Sequence, residues 1–115
     1  MTTNEQLAEW IELGLANGEF RENHSIYLED IYCENRLVVH GCALGAALVG
    51  KEGDALSAVS LFQEKLNREE KFCCISDFAG RLDISFDLAS RIDQLHWKQR
   101  RPARVIAAML RLNAV

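Results

Sequence analysis

The chain has 115 residues, 49% of them hydrophobic and 26% charged, with one proline and seven glycines. That make-up suits one globular domain, residues 1–115, and excludes a disordered tail or two domains joined by a linker. The formal charge of −4 is unevenly divided: residues 1–70 hold 5 Lys and Arg against 13 Asp and Glu, giving −8, whereas residues 71–115 hold 8 against 4, giving +4. Such a split predicts a charged partner, or a second copy of the chain whose opposite half meets this one as a homodimer.

Thr3 suits the N-cap of a first helix from about Asn4 to Asn17, with Leu7, Trp10, Ile11 and Leu15 on one face and Glu5, Glu9 and Glu12 facing water. Gly18 is the expected stop. The opening residues, Met1 to Glu5, offer neither a cationic nor an apolar stretch, so no secretory signal is expected and the cytoplasm is the expected location. There the four cysteines, Cys33, Cys42, Cys73 and Cys74, are expected as reduced, packed thiols.

From Glu19 to Val39 no single period dominates. Ile26, Leu28 and Ile31 alternate with polar neighbours, as do residues around Arg36 to Val39, so a short extended hairpin is allowed around residues 26–39. The apolar stretch Leu37 to Val49 is interrupted by His40 and is well short of the roughly 20 residues of a membrane span. Its small-residue part, with Gly41 and Gly45 four apart, reads as a tightly packed central core helix, with a dimer seam as the alternative.

A break at Gly50 to Gly53 precedes a helix capped by Asp54 and running to about Glu70, its buried stripe being Leu56, Val59, Phe62 and Leu66. Shorter helices are predicted at Ser76 to Asp83 and Ser85 to Trp97, each opened by a capping serine, and Pro102 fits the first turn of a last helix ending near Asn113. The predicted fold is therefore all-α or nearly so: a compact bundle of five or six helices.

The segment Ile75 to Gln94 resembles the helix-turn-helix of bacterial repressors. Phe78, Ala79 and Leu82 are inward on its first helix, Ile84 plugs the turn, and Ala89 and Ile92 are inward on its second. Asp83 stands where that motif usually carries glycine and must adopt a left-handed conformation. The resemblance implies DNA contacts from Ser85, Arg91 and Gln94, although Asp87 on the same helix has the wrong sign for phosphate and the acidic N-terminal half opposes a duplex.

The second reading places a protein interface on the last helices. Trp97 lies beside the cationic run Lys98, Arg100, Arg101 and Arg104, and Val105, Ile106, Met109, Leu110 and Leu112 give the final helix more apolar girth than one buried stripe needs. Trp and Arg are the residue types most often found at the energetic centres of interfaces. Trp97, Arg100, Arg101, Arg104, Ile106, Met109 and Leu110 are the expected partner-binding residues.

Catalysis and cofactors have little support. His24, His40 and His96 have no nucleophile in a recognisable setting, and Cys33, His40, Cys42 and Cys73-Cys74 lack metal-ligand spacing, so neither an enzyme, a metal nor a cofactor is expected. In size, acidity and helicity the chain is similar to the small helical antiactivators that sequester bacterial transcription regulators. The expected function is regulation by protein–protein interaction, with a helix-turn-helix DNA-binding regulator as the alternative.

Overall fold

The computed structural model describes residues 1–66 and 74–115. Among them the element order is α1 (Asn4–Ala16), β1 (Phe20–Glu22), β2 (Leu28–Cys33), β3 (Arg36–Gly41), α2 (Ala43–Glu52), α3 (Ala55–Leu66), α4 (Cys74–Leu82), α5 (Phe86–Trp97) and α6 (Ala103–Arg111). The predominance of helix matches the expectation, but a strictly all-α fold is ruled out by a three-stranded sheet of order β1-β3-β2.

Thr3 caps α1, accepting a hydrogen bond from the Gln6 N–H through its hydroxyl. Asn17, rather than Gly18, ends the helix: its backbone is extended at φ −68° and ψ 124°, and its side-chain oxygen accepts from the Glu19 N–H. That bond turns the chain directly into β1.

The extended hairpin lies at residues 28–41, a little later than expected. β2 and β3 are antiparallel, from Leu28 opposite Gly41 to Cys33 opposite Arg36. Glu34 and Asn35 make the turn at φ 52° and 64°, the left-handed pair of a two-residue hairpin loop. β1, too short to be legible in the sequence, joins β3 in parallel with Phe20 opposite Val39.

The helix α2 is the centre of the molecule, with every residue from Ala43 to Val49 buried. This is the core-helix reading of the Gly41–Val49 stretch. Gly50 does not break the helix but lies inside it, and the terminator is Gly53, at φ 78°. Gly50 is there because a Cβ would collide with the backbone of Trp10, and Gly14 of α1 meets the backbone of Ala46 in the same way. Two reciprocal glycines thus let α1 and α2 cross backbone to backbone.

Asp54 begins α3 by accepting from the N–H and hydroxyl of Ser57. Its buried face is Ala55, Ala58, Val59 and Phe62; Leu56, expected in that stripe, is 40% exposed because the face is one residue further round. The expected continuation over residues 67–70 lies outside the described residues. α4 begins at Cys74, so Ser76 is inside it rather than at its cap, and Phe78 stacks on Phe62 with ring centroids 4.9 Å apart. Ser85 caps α5, and Pro102 stands at the N-cap of α6. The buried side chains of the sheet and of all six helices form one cluster.

Candidate functional site

The helix-turn-helix-like packing is real at the level of its core positions: Phe78, Ala79, Leu82, Ile84, Ala89 and Ile92 are all buried. Asp83 takes the left-handed conformation that the missing glycine requires, φ 54°. The residues that would read DNA are less free. The Ser85 hydroxyl accepts the Leu88 N–H as a helix cap, and Arg91 pairs with Asp87 at 3.0 Å while donating to the Val115 carbonyl at 3.2 Å.

The expected partner-binding residues separate into two groups. Ile106 and Leu110 have no exposed surface, and neither can meet a partner without the core opening. The apolar excess of α6 is explained instead by its position: Ala103, Ile106, Ala107 and Leu110 face inward, while Val105 and Met109 are half-buried and Leu112 is exposed. Full burial of an isoleucine or leucine side chain such as Ile106 or Leu110 stabilises the fold by roughly 1.5–3 kcal/mol. Trp97, Arg100, Arg101 and Arg104 remain at the surface, with Trp97 50% exposed.

The charge division is partly neutralised within the molecule. Arg111 of α6 reaches back to Glu5 and Glu12 on α1, Arg81 holds the buried Asp77 at 3.2 Å, and Arg91 holds Asp87. Among the described residues, Lys98, Arg100, Arg101 and Arg104 meet no carboxylate at ion-pair distance. Four of the cations that meet no carboxylate therefore fall together in the five-residue α5–α6 connection and the first turn of α6.

That connection is built at a conformational cost. The Arg101 N–H reaches back to the Leu95 carbonyl at 3.1 Å, closing α5 with a seven-residue turn, and Arg100 takes the left-handed position at φ 54°. Glycine is the usual residue there, and a non-glycine costs about 1 kcal/mol.

Beside Trp97 opens a cleft of about 420 Å³. One wall is the β1–β2 loop, His24 to Tyr27; the other is α5, through Ser90, Asp93, Gln94 and Trp97, followed by Lys98, with Cys42 and Ile75 also lining it. Burial lifts the Asp93 carboxyl above its ordinary value. Burial also pushes the Cys42 thiol up to about 12, so it stays protonated and is a packing group rather than a nucleophile.

Next to the cleft lies a polar cluster of Glu22, His24 and His96. His96 is fully buried at the end of α5, and its Nε2 is 2.7 Å from Glu22 Oε2. The same oxygen accepts the Ala103 N–H at 2.9 Å, which satisfies the start of α6. His24 Nδ1 lies 2.7 Å from the His96 carbonyl, and the two imidazoles stack with centroids 4.1 Å apart. Burial pushes the His96 imidazole below its ordinary value, against the opposing pull of Glu22.

The cluster escapes sequence reasoning because its members come from opposite ends of the chain. One signal was present: Glu22 and His24 are two apart leaving a strand, the spacing that puts both on one side. No family model, no curated protein and no solved structure matches this chain.

Proposed function

We propose that this chain is a protein-binding regulator whose α5–α6 corner receives an acidic segment of another protein, as expected of a factor that occludes a transcription regulator. The observation that carries the reading is the set of four cations without a carboxylate partner, Lys98, Arg100, Arg101 and Arg104, which follow in the chain a half-exposed Trp97 at the edge of a cleft. Charge complementarity selects an acidic partner and speeds the encounter; an apolar side chain entering the cleft beside Trp97 supplies the retention. Keeping Arg100 where glycine would relax the turn fits a residue held for contact rather than for stability.

The partner is taken to be another protein rather than a second copy, because the acidic residues Glu5 and Glu12 of α1 are already engaged by Arg111. DNA is the weaker reading. The turn geometry favours it, but Arg91 and Ser85 are held internally and Gln94 faces the cleft.

Calorimetric titration with short peptides alternating Asp or Glu with Leu or Phe, against the same peptides carrying Lys, tests the proposal. The acidic series is expected to bind, more weakly at higher salt, and to lose binding in Trp97→Ala and in the double variant Arg100→Glu, Arg101→Glu. Equal binding of both series would sink it. So would duplex binding that disappears in Arg91→Ala, which would move the function to DNA.

A further inference from the structure

We propose that Glu22, His24 and His96 form a binding site for a divalent transition-metal ion of the zinc type, held by one carboxylate oxygen and two imidazole Nε2 atoms. The three candidate ligand atoms all lie within 4.8 Å of one another. This inference is independent of the protein-binding reading.

The hydrogen-bond chemistry of the cluster carries the argument. The His96 carbonyl can only accept, so His24 Nδ1, 2.7 Å away, must be the protonated nitrogen. In neutral His24 this leaves the Nε2 lone pair, and that atom is 3.8 Å from Glu22 Oε2. An imidazole acceptor and a carboxylate acceptor therefore face each other across a gap, an arrangement that favours a positive charge between them. A ligating histidine typically has its other ring N–H fixed by a carbonyl or carboxylate in this way.

The buried member supplies the third donor atom. His96 Nε2 is turned to the same Glu22 oxygen, and His96 Nδ1 is buried without a hydrogen-bond partner. Metal uptake replaces the Nε2–H···O bond with two bonds to the ion, and the ring then carries its proton on Nδ1. Ligand atoms of a tetrahedral zinc site stand about 3.3 Å apart for metal bonds near 2.0–2.1 Å. The observed separations of 2.7 Å and 3.8 Å straddle that value. The rings, with planes 23° apart, have to tilt toward each other.

The supports are in place. Ala103 N–H fixes the Glu22 carboxylate, and the His96 carbonyl fixes His24. His24 and Glu22 side chains are 29% and 26% exposed, which leaves water a route to the remaining coordination positions.

The experiment uses the full chain and zinc alone, in calorimetry and thermal unfolding. One saturable equivalent that raises the unfolding midpoint is expected, with loss of both effects in His24→Ala and weakening in Glu22→Gln, each confirmed folded by circular dichroism. Cobalt substitution supplies a readout that does not depend on those variants: ligand-field bands without a thiolate charge-transfer band support two imidazoles and a carboxylate. A wild-type chain that takes up no zinc overturns the site. Unchanged affinity in a folded His24→Ala, or a thiolate band that vanishes in Cys73→Ser, Cys74→Ser, also overturns it by placing the ion elsewhere.

Discussion

The two flanks of the central helix α2 are built on opposite principles. Where α1 crosses it, Gly14 and Gly50 bring two backbones into contact and Leu7, Ala8 and Ile11 lie fully buried, as does every residue from Ala43 to Val49. On the side of α5 and the β1–β2 loop there is a 420 Å³ cleft, a buried histidine with an unpartnered nitrogen, and two carboxylates, Glu22 and Asp93, set among partly buried groups. Packing of the first kind generates stability. Open, polar, incompletely paired surface of the second kind is what a binding site requires, and here the two are segregated rather than mixed.

The comparison is broken most forcefully at the crossing. Gly50→Ala should destabilise by on the order of 3 kcal/mol or more, since the added methyl meets the Trp10 backbone rather than a movable side chain. Denaturant unfolding measures it, and a loss under 1 kcal/mol would mean the helices separate easily. Leu110→Ala should follow at about 2–5 kcal/mol, the range for a fully buried leucine, and this result distinguishes core from interface for α6.

On the open flank the expected effects are small and can be of opposite sign. Arg100→Gly should stabilise the fold by about 1 kcal/mol while weakening peptide binding, so that a stability gain and a binding loss appear in one variant. Destabilisation there would show that Arg100 is held by contacts of its own.

Asp93 supplies the pH arm. Its carboxyl is lifted above the ordinary value by burial, so the folded pKa exceeds the unfolded one. The stability linked to this group is full below the unfolded pKa and is lost as pH rises through the folded pKa. Asp93→Asn should therefore flatten that part of the pH–stability profile and leave the protein slightly more stable at pH 7. A steeper profile in the variant would mean that the ionised carboxylate is favoured in the fold.

The sequence was most legible where local chemistry decides the outcome. Thr3, Asp54 and Ser85 cap helices as their residue types suggest, and the inward positions of residues 78–92 follow helical spacing. It failed where the deciding contact is distant. Leu110 was read as surface because its burial depends on packing among helices separated widely along the chain. Gly50 was read as a breaker because nothing nearby in sequence reveals the Trp10 backbone against it. The Glu22–His24–His96 cluster spans 74 residues and leaves only the two-residue spacing of its first pair to be seen.

The link between Arg111 and the Glu5 and Glu12 carboxylates has a further consequence for the order in which the molecule assembles. α1 and α2 are both complete by Glu52, so their crossing can form while the rest of the chain is still being synthesised. The other face of α1 has to wait for a helix synthesised about a hundred residues later, and contacts of such sequence separation slow the final step of folding. Until α6 arrives, the nascent chain passes through a stage in which the flank of its first helix against α2 is finished and the flank that α6 will cover is still open to water.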